Sequence, residues 1–311
     1  MSMELDRIHP ELQHVYRRAP KLPMHSKLFL SFANFILRLR RERKAIDGVT
    51  IRNVRADGAS VRVYSPPQPG CGAAMLWIHG GGLLVGRASI NDDLCAQYAR
   101  DLGLVVVSAN YRLAYKQPYP AAIDDCFNAW RWLQANAGEL GIDAARVAIS
   151  GQSAGGGLAA SLVQRVIDGG GVQPAAQALF CPMLDDRTAA REELDTIEHR
   201  MWNNRNNRTG WSTYLGQDAG MPATPKYAVP ARREDLSGMP PSWIGIGDVD
   251  LFYEESAVYA RRLAEAGNDC ELHTAPMAPH AFELLAPEST LAREFFESNY
   301  RFLRNTLALP G

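Results

Sequence analysis

Near its start the chain carries an apolar stripe of helical period. Leu28, Phe32, Phe35, Ile36 and Leu39 fall at i, i+4, i+7, i+8 and i+11, one face of a helix. The run RLRRERK (38–44) closes that helix with positive charge, which the carbonyl end of a helix favours. Two placements suit such a pattern. The apolar face packs on the body of the protein with the basic tail solvated, or it touches lipid or lines a greasy cleft. Packing on the body is the expectation, because charge runs are usually solvated faces.

From Val49 the period shortens to that of strands. Residues 49–56 and 59–66, joined by Asp57-Gly58, predict a hairpin with a tight turn. Residues 71–82 predict a buried strand running into three glycines, and 102–112 another, continuous in hydrophobicity as a parallel sheet requires. Residues 92–102 between them read as a helix. So do 120–137, with Ile123, Phe127, Trp130 and Leu133 along it. Further strands are expected at 147–150, 178–183, 242–247 and 271–275, with helices between them and a last helix at 291–307. Strand–helix alternation after an opening hairpin predicts an α/β fold with a mostly parallel, doubly wound sheet. One stretch interrupts the alternation. Residues 185–229 hold Trp202, Trp211, Tyr214 and Tyr227 around an Asn-rich centre, too long for a simple connection and of a size common in lids and binding loops.

Composition narrows the class. The 311 residues are 46% hydrophobic and 22% charged, enough for one large α/β domain or two modest ones. A net charge of −1 provides no basic field, so nucleic acid is not an expected partner. Cysteines 71, 95, 126, 181 and 270 are odd in number and scattered, which suits free thiols in a reducing compartment. The opening residues are too charged for a secretory signal, and no apolar run approaches the length of a membrane span. A cytoplasmic protein with no transmembrane segment is expected.

The chemistry gathers around residues 146–158, RVAISGQSAGGGL. Strand character runs into Gly151-Gln152-Ser153-Ala154-Gly155, and a small-residue helix pattern follows. This predicts a sharp strand-to-helix turn with Ser153 at its tip, where a Cβ on either flanking glycine would collide with a neighbouring element. A serine hydroxyl is a poor nucleophile and needs a positioned base, usually an imidazole oriented by a carboxylate. In a doubly wound sheet these come from loops at the carboxyl ends of other strands. Of seven histidines, His9, His14 and His25 lie in the N-terminal segment, His199 in the interrupting stretch and His273 inside a strand. His79 suits loop bracing. His280, in the turn after the last strand, is the expected base. The acid is Asp248 or Asp250, both at one strand end, the other being suited to capping the next helix. The run His79-Gly80-Gly81-Gly82 offers backbone N–H groups to an oxyanion, and the N–H of Ala154 completes the hole.

These motifs resemble those of the bacterial hormone-sensitive-lipase-like (family IV) carboxylesterases of the α/β-hydrolase superfamily. The likeness covers about residues 45–310 and rests on HGGG (79–82), SANYRLA (108–114), GQSAGG (151–156), DVDLFYEES (248–256) and PHAF (279–282). The resemblance implies the α/β-hydrolase fold with a helical cap. The cap would comprise 1–45 and 185–229, and the catalytic domain 46–184 with 230–311. It implies Ser153, Asp250 and His280 as the catalytic residues, and Gly81, Gly82 and Ala154 as the oxyanion hole. No metal or organic cofactor is called for, and the expected partner is a small-molecule ester, with short to medium acyl chains. Family members commonly dimerise through their last strands, so a homodimer is among the expected assemblies. An amidase, carbamate or lactone hydrolase would use the same residues, and a ligand receptor is the alternative from a different class. Two positions depart from the family pattern: Gln152 replaces an Asp, and Tyr115 replaces a Pro. Neither is expected to touch the reacting groups. Arg112 is expected to pair structurally with Asp124 or Asp125.

Overall fold

Among the described residues the sheet has nine strands in the order β1-β2-β3-β5-β4-β6-β7-β8-β9. A computed structural model describes residues 5–309 apart from 57, 69 and 198. Asp57 of the expected hairpin turn and the first four residues of the N-terminal segment therefore lie outside the described residues. The strands are β1 (Ala45–Ile46), β2 (Val49–Ala56), β3 (Ala59–Ser65), β4 (Ala74–Ile78), β5 (Val105–Ala109), β6 (Val147–Gln152), β7 (Ala176–Phe180), β8 (Ser242–Gly247) and β9 (Cys270–Ala275). The first three and β5 pair antiparallel in sequence, with Ala56 opposite Ala59 across the hairpin. The pairs from β5 through β4 to β9 are all parallel.

Eleven helices are described: α1 (Pro10–Arg18), α2 (Lys27–Leu39), α3 (Asp92–Leu102), α4 (Ala121–Ala135), α5 (Ala137–Leu140), α6 (Ala154–Gly169), α7 (Asp186–Ala190), α8 (Asn204–Leu215), α9 (Tyr253–Glu265), α10 (Phe282–Leu285) and α11 (Thr290–Thr306). Two apolar layers sandwich the sheet because successive strand residues point to opposite faces. Leu76 and Ile78 of β4 join Ile123, Trp130, Leu162 and Leu263 on one side. Met75 and Trp77 join Leu94, Tyr98, Phe295 and Phe302 on the other. The strand expected at 178–183 ends earlier, at Phe180. Cys181 takes a φ of +35° and Pro182 has no N–H for the ladder, so the chain leaves the sheet there.

The N-terminal helix differs most from expectation. α2 forms where its period predicts, capped by Ser26, whose Oγ accepts from Phe29 N at 3.2 Å. Its apolar stripe, however, faces outward. Leu28, Phe32, Phe35, Ile36 and Leu39 are all exposed, whereas Leu30 and Asn34 are buried. The reason is that the opposite face has the more specific partners. Asn34 Nδ2 donates to Leu84 O at 3.0 Å, and its Oδ1 accepts from Gly86 N at 3.1 Å. A buried amide satisfied on both ends outweighs the amphipathic pattern in choosing the inner face.

The interrupting stretch is tied down at both ends. Buried Asp186 accepts from Arg232 Nε at 2.6 Å, closing the segment on itself. Glu255 of α9 accepts from Leu184 N at 2.6 Å and from the Thr188 hydroxyl. Its body meets the N-terminal segment, with Asn206 Nδ2 on Leu22 O at 2.9 Å and Met201 N on Pro20 O at 3.2 Å. Arg112 pairs with Asp125, which accepts from both its Nε and its backbone N at 2.8 Å, while Asp124 takes Arg165. All five cysteines are free. Among the described residues no helix is long and apolar enough to cross a membrane.

Candidate active site

Ser153 sits between β6 and α6 with φ +55° and ψ −122°, a conformation that a non-glycine residue adopts only when its surroundings over-determine it. Those surroundings are visible. Ser153 N donates to Phe180 O at 2.8 Å, and Ser153 O accepts from Met183 N and Gly157 N. The flanking glycines let the turn close: a Cβ on Gly151 would lie 2.3 Å from Gly155 O, and one on Gly155 would lie 2.1 Å from Ile78 O. The strained turn is thus set by its own glycines together with the backbone of β4 and the segment after β7, and it aims the hydroxyl out of the sheet.

The loops after β8 and β9 converge on that hydroxyl. His280 Nε2 lies 2.9 Å from Ser153 Oγ, and Nδ1 lies 2.7 Å from Asp250 Oδ2. With the imidazole proton on Nδ1, the serine O–H donates to Nε2 and Nδ1–H donates to the carboxylate. All three residues are buried. Asp250 Oδ1 is held by Phe252 N at 2.9 Å, and the Phe252 ring meets the imidazole edge-on with centroids 5.2 Å apart. Asp248 goes elsewhere. It is exposed, and its Oδ1 accepts from Met277 N at 2.6 Å, bracing the loop that carries His280. Neither aspartate provides a side-chain cap to α9.

Burial by itself pulls the His280 pKa down. The charge of Asp250, the hydrogen bond to it and the charge of Glu283 together outweigh that, so the imidazole titrates above its ordinary 6.5. Buried Glu283 is pushed up from the ordinary carboxyl range and accepts from Gln152 Nε2. Gln152, the neighbour of Ser153 in the chain, is thereby joined through its side chain to the carboxyl whose charge acts on His280.

The glycine run lies beside the serine. Gly81 has φ +112° and Gly82 φ +61°, and a Cβ on Gly81 would lie 1.8 Å from Val85 O. Only glycine fits that backbone path. Among the described residues, the N–H groups of Gly81, Gly82 and Ala154 donate to no carbonyl of the chain. His79 braces the run: its Nδ1 is 2.8 Å from Gly80 O, its ring stacks on Tyr111 at 4.2 Å, and burial lowers its pKa to about 4. Asn34 of α2 holds the far end of the same loop through Leu84 and Gly86.

Two spaces are lined by the interrupting stretch, and neither is lined by Ser153, Asp250 or His280. One, of only about 10 Å³, lies between Ala154, Leu158, Met183, Trp211 and Tyr214. The other, of about 610 Å³, opens between the N-terminal segment and the 195–206 stretch and is lined by Leu22, His25, Ile197 and His199. Trp202 stands against the glycine loop, since a Cβ on Gly82 would lie 1.9 Å from its ring.

Sequence reasoning missed several neighbours of the array. His199 is buried near the charges of Asp250 and His280, and burial lowers its pKa to about 4, so it stays neutral. The Cys181 thiol lies with His280 and Asp250 in one buried group, and burial raises its pKa well above the ordinary thiol range. Trp202, Glu283 and Asn34 complete the set. Only the Trp content of the insertion offered any signal for one of them.

A mostly parallel sheet with an antiparallel edge, helices on both faces and a serine on a strained strand-to-helix elbow defines an α/β hydrolase. Comparison with known proteins agrees. A family model described as alpha/beta hydrolase fold matches residues 75–284. Esterase LipI of Mycobacterium tuberculosis is 32% identical over 274 residues, 86% of this chain and 78% of that protein. An ethyl acetate hydrolase of Pseudomonas putida is 34% identical over 239 residues, 71% of this chain and 70% of that one. Among solved structures, a bacterial heroin esterase superposes with a TM-score of 0.86 at 32% identity, covering 97% of this chain and 99% of that one. The chain belongs to the hormone-sensitive-lipase-like family of carboxylesterases and is a carboxylic ester hydrolase.

Proposed function

We propose that the protein hydrolyses small esters of short acyl chain through a covalent acyl-enzyme on Ser153. The observation that carries this reading is the line from Ser153 Oγ to His280 Nε2 at 2.9 Å and from His280 Nδ1 to Asp250 at 2.7 Å. Ser153 attacks the ester carbonyl as His280 takes its proton, and Asp250 holds the tautomer and stabilises the imidazolium. The N–H groups of Gly81, Gly82 and Ala154 receive the oxyanion. His280 then protonates the leaving alcohol and activates the water that releases the acid.

The relative named for ethyl acetate supports a short acyl group, and the narrow space against Ala154, closed by Trp211 and Tyr214, leaves no room there for a long one. Residues 1–45 and 185–229 are the two parts of the cap in this reading, over a catalytic domain of 46–184 and 230–311. The hydrogen bonds of Leu22 and Pro20 to the insertion support that division.

The test is a series of p-nitrophenyl esters from acetate to palmitate. kcat/KM should be highest for acetate or butyrate and fall steeply beyond, and a maximum on long chains would overturn the acyl assignment. Labelling by an organophosphonate should stop the activity with one adduct on Ser153. No ester turnover by folded protein would transfer the proposal to an amide, carbamate or lactone substrate.

The proton chemistry adds a pH prediction. His280 accepts a proton only when neutral, and its pKa lies above 6.5, so kcat/KM should fall with falling pH through a midpoint above 6.5. A pH–rate profile flat down to pH 5 would contradict it.

A further inference from the structure

We propose that the outward face of α2, with the basic run behind it, docks the protein on an anionic lipid surface. The five stripe residues are exposed to unusual degrees for large apolar side chains: Leu28 by 82%, Phe32 by 62%, Phe35 by 56%, Ile36 by 42% and Leu39 by 64%. They share one face of one helix, and the remaining exposed large apolar residues lie singly elsewhere on the chain. Together they bare on the order of 500 Å² of mostly apolar surface, near the upper end of what a monomer leaves uncovered.

Charge selects the partner. Residues 1–44 hold ten Lys and Arg against four Asp and Glu, a net +6, while the remaining residues hold twenty-three against thirty, a net −7. The acidic neighbours of the stripe are already paired, Glu42 with Arg87 and Asp93 with Arg43. Among the described residues Arg38, Arg40, Arg41 and Lys44 make no ion pair through their side chains, so positive charge surrounds the end of the stripe. An exposed apolar face flanked by cations is the pattern of a helix lying in a membrane interface, where apolar burial and attraction to anionic headgroups add. At thirteen residues α2 is too short to span a bilayer and lies in its plane.

A second copy of the chain fits this face less well. A two-fold contact along α2 would set one basic segment on another, with Lys27 at the start of each helix and Arg38 at its end, and the patch is smaller than the roughly 800 Å² per partner of a standard interface. The inner face of α2 is fixed by Asn34 on the loop of Gly81 and Gly82, so the stripe is presented on a rigid mount beside the site.

The test needs no turnover. Purified full-length protein is floated with vesicles of phosphatidylcholine, alone or with phosphatidylglycerol as about a third of the lipid. Binding to the anionic vesicles should exceed binding to the neutral ones by about tenfold and weaken as salt is raised. The double variant Phe32→Ser with Phe35→Ser should lose about tenfold or more of that binding. Its hydrolysis of p-nitrophenyl acetate without vesicles should stay at the wild-type rate, and its circular dichroism should report an unchanged fold. Arg40→Gln with Arg41→Gln should lower the preference for anionic lipid. Failure of the folded wild type to float, or equal flotation of the Phe32/Phe35 variant, would overturn the proposal. So would a dimer, seen by light scattering, that the same variant abolishes while vesicles stay unbound.

Discussion

Ser153→Ala is expected to lower kcat on p-nitrophenyl acetate by about 10⁶ and leave the protein folded. The substitution removes one atom, whose side-chain partner is His280 Nε2 at 2.9 Å. The Cβ stays, so the strained φ of +55° and the backbone bonds from Ser153 to Phe180 and Met183 are unaffected. Stability should shift by no more than about 1 kcal/mol, the net worth of one hydrogen bond. What disappears is the covalent route, because alanine has no lone pair to attack the carbonyl. Any residual rate should be that of water acting beside the oxyanion donors, about 10³ to 10⁴ above the uncatalysed reaction. Wild-type and variant kcat, with an unfolding curve for each, measure both halves. A variant within tenfold of wild type would remove Ser153 from the mechanism.

Asp250→Asn is expected to lower kcat by about 10⁴. Asp250 Oδ2 accepts the Nδ1 proton of His280, which leaves Nε2 free to receive the serine proton. An asparagine that turns its NH₂ to Nδ1 selects the opposite tautomer, with the proton on Nε2, where it blocks that transfer. Asp250 is also the principal charge that holds the His280 pKa up against burial, so the acid limb of the variant should move to lower pH. Asp248→Asn is the control. That carboxylate is exposed and braces Met277 N, so its loss should lower kcat by less than about tenfold. If Asp248→Asn cost more than Asp250→Asn, the acid would have been assigned to the wrong residue.

Local patterns carried much of the fold. Helix α3 and strand β8 begin and end where periodicity placed them, because each is a regular run with its buried face set by nearby residues. β7 ended early because one residue, Cys181, turns to positive φ ahead of a proline, a choice that hydrophobicity does not encode. The Ser153 elbow was legible because its glycines lie within five residues of one another in the sequence, although the Gly155 requirement comes from β4, whose Ile78 O a Cβ would strike. Asn34 shows the limit. The helical period marks the apolar stripe as the inner face, yet the Asn34 amide bonds a loop fifty residues on and turns that stripe outward.

The sequence by itself determined the strand and helix alternation, the elbow, the glycine run and the set of residues able to do acyl chemistry. Periodicity acts between near neighbours, and a glycine pattern is visible in the chain wherever its contacts lie, so these features can be read from the sequence directly. Tertiary structure decided which aspartate faces His280, that Gln152 reaches Glu283, that His199 and Cys181 border the array, and which face of α2 meets solvent. Each of these depends on distances between segments far apart in the chain, set by the packing of the whole sheet and its loops.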